Sequence, residues 1–525
     1  MMKTKLNIKK EILVVITTIL LLSSFILGSF TAAGLKNINN EISIKTNANF
    51  CEHYKPRIKY HQLYSGWPQI YDGGDEDSAW GGISIDSNED IIVTGYSFFN
   101  EANSDIITIK YDDDGNEIWQ SSFDKGSIEI AMDLAIDSKD NIIIFGFNCK
   151  SLDDLEYLNL TLLVVKYNSD GFEQWNRSYH FEKDNFPGGV AVDSNDNIIL
   201  TGGKGNINQM FFSCWTIKMD ENGNEQWNKT FTEDMISIGT DVAVNSNDEI
   251  IVGGVSASPM VGQGFCIIKY DNDGNKISVN RYGGIQPNGI AIDSRDNIIL
   301  TGQHLESDSD SSIWYTLKSD KNGNELWVRQ YDSGNNDIAE NVAVDAHDNI
   351  ITVGGSHFSQ EEFFEHCTII YDENGEEICM KRPGISGFIY GVAVDKTNTI
   401  IITGDVIINN NLDYYTDKYF DTIPPLVNLE SPKEKYLYIF DKEITPLSKN
   451  TFIIGQITIK LEADDPSDVE KVELHIDNTL QETISAPPYE WIWSEPSFGK
   501  HRIITMAYDN TGSIARNEIE VWKFF

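Results

Sequence analysis

Short β-branched runs, such as Ile91-Ile92-Val93, alternate along most of this chain with brief polar clusters of Asp, Asn, Ser and Gly. Runs this short between turn residues predict strands, not helices. The pattern also has a long period, near fifty residues. The stretch Ile85-Asp86-Ser87-Asn88-Glu89-Asp90-Ile91-Ile92-Val93-Thr94-Gly95 returns at Asp137 to Gly146, Asp193 to Gly202, Asn245 to Gly254, Asp293 to Gly302, Asp345 to Gly354 and Asp395 to Gly404. The Asp/Asn-to-Gly spacing is nine residues in all seven copies. A second half follows the first six copies: an apolar run, then a turn such as Tyr111-Asp112-Asp113-Asp114-Gly115-Asn116, then Trp119 or its equivalent. The Tyr-to-Trp spacing of eight recurs at Tyr167/Trp175, Met219/Trp227 and Ser319/Trp327, and at Tyr270/Ser278 and Tyr371/Cys379 with the tryptophan replaced.

Each half predicts a β-hairpin, because Asp, Asn and Gly tolerate the positive φ angles of tight turns. Two hairpins make a four-stranded unit, and a radial array of such units is a β-propeller. Small residues (Ser84, Ala135, Ala191, Ala243, Ala291, Ala343, Ala393) stand two positions before the first turn, as an inner strand crowded at an axis requires. The tryptophan falls on the outermost strand, where it can wedge between neighbouring units. The seventh copy stops at Tyr419-Phe420 without a fourth strand, and a lone strand, Trp67-Pro68-Gln69-Ile70-Tyr71, precedes the first. Supplying one from the other would close a seven-bladed ring and remove its exposed edge.

The repeat ends at Ile423-Pro424-Pro425. Beyond it, alternating runs such as Gln456-Ile457-Thr458-Ile459-Lys460-Leu461 and Val472-Glu473-Leu474-His475-Ile476 predict half-buried antiparallel strands of a sandwich. Trp491, Trp493 and Trp522 are expected to fill its core. The fold class is therefore all-β, a seven-bladed propeller over 64–421 followed by an immunoglobulin-like sandwich over 422–525. Residues 34–63 have no periodicity and read as a linker. At the N-terminus, Lys3, Lys5, Lys9 and Lys10 precede an uncharged apolar stretch from Ile12 to Phe30 and then Thr31-Ala32-Ala33. That order is the signature of a secretory signal cleaved after Ala33. The stretch is also long enough to stay as a membrane anchor. Either outcome puts the bulk of the chain outside the cytoplasm.

Charge narrows the partners. With 40 basic and 81 acidic residues the net charge is −41. Nucleic acid, whose binding needs a basic patch, is excluded, as is attraction to an anionic membrane surface. Membrane contact is left to the N-terminal segment alone. Six cysteines would permit disulfides in an exported chain. However, Cys266 and Cys367 share one repeat position, Cys214 lies one residue off it, and Cys379 replaces a tryptophan. They read as core residues, and no CxxC pair offers a zinc site.

With those residues in hand, 64–421 resembles the Asp-Gly-Asn/Trp-type β-propeller repeat proteins of prokaryotic cell surfaces, through its AxDSxDNIIxTG and KYDxDGNxxW patterns. The tail is similar to the immunoglobulin-like modules joined to archaeal and bacterial surface proteins. It carries Lys471-Val472-Glu473-Leu474-His475-Ile476-Asp477, Pro488-Tyr489-Glu490-Trp491 and Ala507-Tyr508-Asp509-Asn510-Thr511-Gly512. The resemblance implies architecture and an extracellular place; propellers host many unrelated activities.

Candidate chemistry is sparse. The turn carboxylates Asp112, Asp113, Asp114, Asp271 and Asp273 offer hard oxygen ligands for calcium, but hairpin chemistry explains them without a metal. His357 and His366 bracket a loop beside Cys367 without forming a ligand motif. No nucleophile elbow or phosphate loop is present. The expected set therefore contains no catalytic, cofactor-binding or metal residues. Sequons at Asn159, Asn176 and Asn228 are candidate glycan acceptors. The leading expectation is a surface binding, adhesion or envelope-structural protein whose partner is an extracellular glycan or surface protein. The alternative is a secreted propeller enzyme, either a quinoprotein-like dehydrogenase or a polysaccharide lyase or hydrolase. A ligand is expected on the face where repeat lengths vary, with candidate loops at 98–104, 151–157, 303–312 and 356–366.

Overall fold

A computed structural model describes residues 67–525, apart from 75, 101–102, 152–159, 181–183, 207–208, 210, 259–261, 284–285, 306–310, 358–363, 409–410, 420–424, 465–468, 478 and 510–513. The signal and linker expectations therefore lie outside the described residues, as do the cleavage position Ala33 and the sequon Asn159. Every named element is a β-strand, and none of the described residues forms a helix long and apolar enough to cross a membrane. The chain separates into two compact units, one holding nearly all of the repeats up to Lys418 and one built chiefly on Tyr419–Phe525.

The repeats fold as expected into four-stranded antiparallel units of a β-propeller. The second repeat shows the order: Ile128–Ile136, Ile142–Cys149, Thr161–Tyr167 and Glu173–Tyr179, each paired with the next. The sixth repeats it with Asp337–Val344, Ile350–Ser356, Glu365–Tyr371 and Glu377–Lys381. Isoleucines and valines of the two middle strands are almost fully buried, and separate apolar clusters lie between successive sheets. The seventh repeat supplies only Ile389–Val394, Ile400–Ile408 and Asn411–Tyr419, and its fourth neighbour is Gln69–Tyr71. There Gln69 pairs with Thr416, Ile70 with Tyr415 and Tyr71 with Tyr414.

Turn chemistry follows the sequence closely. Glu89, Asp140, Asp196, Asp248, Asp296, Asp348 and Asn398, the same turn position in all seven copies, have φ between 57° and 67°. The side chain at this position does more than tolerate the turn. Asp140 accepts from the backbone N–H of Ser87 at 2.9 Å and from its hydroxyl at 2.7 Å. The same pair of hydrogen bonds joins Ser138 to Asp196, Ser194 to Asp248, Ser246 to Asp296 and Ser294 to Asp348, so the first six turns are latched in sequence. The outer tryptophans form a second ring of contacts. Trp119, Trp175, Trp227 and Trp327 each donate their indole N–H to a carbonyl in the following repeat's Asp-Gly or Asn-Gly turn, at Ser169, Glu221, Asn272 and Glu373. Trp67, ahead of the first repeat, donates in the same way to Asp113, at 3.1 Å. The buried lysine before the turn bridges too: Lys166 pairs with Asp137 of its own repeat at 2.8 Å and donates to the Glu221 carbonyl of the next at 3.1 Å.

At the axis the inner strands obey a rule of alternation. Two residues before each small inner residue stand Gly82, Asp133, Gly189, Asp241, Gly289, Asn341 and Gly391. Asp133 spans the gap to the next inner strand by accepting from Val190 N–H at 2.7 Å, and Asp241 accepts from Ile290 N–H at 2.9 Å. The glycines leave room for this. A Cβ on Gly189 would lie 2.2 Å from Asp241 Oδ1, and one on Gly391 would lie 3.0 Å from the Cα of Gly82.

The second unit is a two-sheet sandwich. Leu426–Ser431, Ile457–Asp464 and Tyr489–Trp493 form one sheet, and seven strands ending in Phe498–Asp509 and Ile514–Phe524 form the other. Trp493 is buried in the core, with Trp491 packed against it. Trp522 corrects the expectation: Ile519 and Val521 on its strand point into the core, so the two-residue alternation turns Trp522 to the opposite face.

Candidate functional site

Residues of the inner strands and of the segments beside them line an axial cavity of about 180 Å³. Trp80, Phe186, Phe212 and Tyr390 give it an aromatic wall, and Asp133, Asp241, Glu340, Asn288 and Asn341 give it polar groups. Most of these positions follow the outer-to-inner connections between repeats, and Phe212 follows a second-to-third-strand connection, so the cavity lies at the end of the array where connection length varies. Trp80 meets Tyr390 at 6.2 Å between ring centroids, and Phe186 meets Phe212 edge-on at 5.1 Å.

The acids of the cavity differ in their commitments. Asp133 and Asp241 each accept two backbone N–H groups, the second from Leu134 and Val242 respectively, so they tie the inner strands together. Burial drives the Asp133 carboxyl well above the usual range, with the Asp241 charge adding to it, and burial pushes Asp241 up to about 7. Burial likewise pushes Glu340 up to about 8, which makes it a proton-bearing group near neutral pH. Tyr390 connects the wall to the seventh repeat, its hydroxyl donating to Asp405 Oδ2 at 3.2 Å.

Most sequence candidates fall elsewhere. His366 is fully buried, with Nε2 2.7 Å from the Asp405 carbonyl and burial lowering its pKa to about 4. His357 packs edge-on against Phe364, and residues 358–363 between the two histidines are outside the described residues. Cys214, Cys266 and Cys367 are buried core residues with thiol pKa values raised by burial. Asp112 and Asp271 sit at the opposite end and accept from the backbone and side-chain N–H groups of Asn116 and Asn275, which lower their pKa. Asp113 faces Lys418 across the junction of the first and seventh repeats. The Asn228 sequon is exposed, whereas Asn176 is half-buried, donates to Glu173 and accepts from Lys125. Of the loop candidates, 98–104 and 303–312 are described only in part, and 151–157 and 356–366 mostly fall in undescribed segments.

Two groups escaped the sequence reading. One is the cavity acids, of which Asp133 and Asp241 are signalled by the Gly/Asp alternation two residues before the recurring small position of the repeat. The other is a pair of carboxylate triplets, Asp72/Asp77/Asp413 and Asp105/Asp124/Glu129. Burial pushes Asp77 up to about 7 and Asp105 up to about 6, the latter helped by Asp124 and Glu129.

Residues 443–504 match the family model of the bacterial Ig domain, within the sandwich. A segment of 108 residues is 36% identical to an uncharacterized WD repeat-containing protein of Acanthamoeba polyphaga mimivirus, covering 17% of this chain. The chain spans only 8% of the length of that relative. Among solved structures, the Pan2 WD40 domain of Neurospora crassa is similar over 68% of this chain and 97% of its own, at 13% identity and a TM-score of 0.42. PorZ, a surface component of the type-IX secretion system of Porphyromonas gingivalis, is similar over 85% of this chain and 60% of its own, at 11% identity and a TM-score of 0.42.

Proposed function

We propose that this is an exported binding protein whose repeats close as a seven-bladed ring and whose axial cavity receives the end of an extracellular ligand. Export is supported by the lysine-led apolar stretch before Ala33 and by the acidic, repeat-built chain behind it. Ring closure is supported by the pairing of Gln69–Tyr71 with Asn411–Tyr419 and by the Trp67 indole, which repeats the contact made between other neighbours. The observation that carries the function is the cavity itself, an aromatic-walled recess at the variable-loop end. Ligand pockets for whole small molecules run to roughly 300–1,000 Å³. A recess of about 180 Å³ suits one protruding group, such as a terminal sugar ring, with the longer loops grasping what lies beyond. Aromatic faces beside amides and carboxyls match the apolar and hydroxyl-bearing sides of a sugar. The secreted protein should bind members of a glycan array, and Trp80→Ala with Glu340→Gln should abolish that binding while the thermal transition is retained. Glycan binding unchanged in this double variant, or none at all by the wild-type protein, overturns the reading. N-terminal sequencing of native material should begin near Gly34, or find the intact segment in membranes; an intact, soluble cytoplasmic pool would refute export.

A further inference from the structure

The two carboxylate triplets occupy the same place in successive repeats. Tyr71 is cross-strand partner to Tyr414, and Phe123 to Ile106. Asp72 and Asp124 follow the first members of these pairs, while Asp413 and Asp105 precede the second members. Five residues further on stand Asp77 and Glu129. Within each triplet, one carboxylate oxygen from each residue lies within 4.8 Å of the others.

The connecting loop holds two of the three acids side by side. Gly74 N–H donates to Asp72 at 2.8 Å and Gly126 N–H to Asp124 at 2.5 Å. Gly73 N–H donates to Asp77 at 2.6 Å and Lys125 N–H to Glu129 at 3.2 Å. That much is loop architecture, because Asp332-Ser333-Gly334 repeats it: Gly334 N–H binds Asp332 at 2.7 Å and Ser333 N–H binds Asp337 at 2.6 Å. At this third loop, however, the residue before the cross-strand partner of Tyr331 is Ile313, so that position carries no acid, and no third acid joins the two among the described residues.

The third acid is what loop architecture leaves unexplained. Asp105 is 7% exposed, and its Oδ1 is buried with no hydrogen-bond donor among the described residues, while its carboxylate faces Asp124 and Glu129. No described Lys or Arg pairs with any of the six acids; Lys125, the nearest in sequence, turns away to Asn176 and Ser178. A buried carboxylate set against two others without a cation is costly, and natural structures resolve this by holding a proton, by pairing or by metal coordination.

We propose that the two triplets are divalent-cation sites, with calcium as the ion they fit. Three carboxylates at one point offer the hard oxygen ligands calcium takes, water and loop carbonyls completing its six to eight. Extracellular modules hold calcium at about 10⁻⁴–10⁻³ M, the range expected here. Each ion would staple the third strand of one repeat to the strand entering the next. The Asp413 site would thereby bind the last repeat to the start of the first.

Isothermal titration of the chelator-treated full chain with calcium chloride tests this. The wild-type protein should show two saturable sites. Asp72→Asn and Asp124→Asn, both at exposed positions that leave the fold intact, should each remove one, and the pair should remove both. Asp332→Asn, in the loop without a third acid, should leave two. Calcium should also raise the melting temperature of the wild-type protein and not of the double variant. No saturable binding by roughly 10 mM calcium, ten times the weak end of the extracellular range, overturns the proposal. So does an unchanged stoichiometry in Asp72→Asn and Asp124→Asn.

Discussion

His366 shows how one buried side chain sets a pH limit on the fold. It is fully enclosed, donates through Nε2 to the Asp405 carbonyl, and has a pKa lowered to about 4 by burial. In the unfolded chain a histidine titrates near 6.5, so between these values the unfolded state binds a proton that the folded state refuses. Stability is therefore lost as pH falls from about 6.5 towards 4, by about 2 kcal/mol at pH 5. Buried acids with raised pKa values, such as Glu340 and Asp241, push the other way as they take up protons. Comparison with His366→Gln isolates the histidine. Urea midpoints at pH 7 and pH 5 should show the wild-type protein losing about 2 kcal/mol more than the variant; equal losses would refute the assignment. At this scale the sequence was half legible. The small inner residues are an unmistakable column, because crowding leaves few choices. The Gly/Asp alternation two positions earlier was overlooked because each residue there is common in a turn-rich chain. Its meaning comes only from neighbours about fifty residues away.

The hairpins are the most readable elements, since a nine-residue spacing with Asp or Asn in the left-handed position of six of the seven copies, and Glu89 in the first, fixes strand, turn and strand together. What one hairpin cannot reveal is the donor for its turn carboxylate, which is the serine of the preceding repeat. Motif and contact therefore share residues without sharing a purpose. The sandwich illustrates the opposite failure: tryptophan bulk pointed to Trp522 as core, and the two-residue phase of its strand overruled bulk. The segment Gln69–Tyr71 with Trp67 makes the sharpest element-scale prediction. Truncating a fully buried aromatic costs about 3–5 kcal/mol, and Trp67 is half-buried, so Trp67→Ala should cost roughly 2 kcal/mol. Deleting 67–71 should cost more, because Asn411–Tyr419 would also lose its ladder partner. Calorimetry of the propeller transition measures both; a deletion that melts with the wild-type protein would refute ring closure.

For the molecule as a whole, −41 of net charge means self-repulsion that salt can screen. Raising sodium chloride from about 10 mM to about 500 mM shortens the screening length from about 30 Å to a few ångströms, so the melting temperature should rise. A fall would show that the buried Lys–Asp pairs and turn latches outweigh the surplus of acid. The axis carries a different kind of constraint, one of parity. Residues that bridge and residues that yield can alternate perfectly only around an even-numbered circle. The proposed ring has an odd number of members and must place two yielding residues side by side once, and it does so at Gly391 and Gly82. That frustration marks a seam in the ring independently of where the polypeptide begins. A permuted chain with its ends moved elsewhere would carry the mismatch unchanged, while inserting one further repeat with aspartate at this position between them would abolish it.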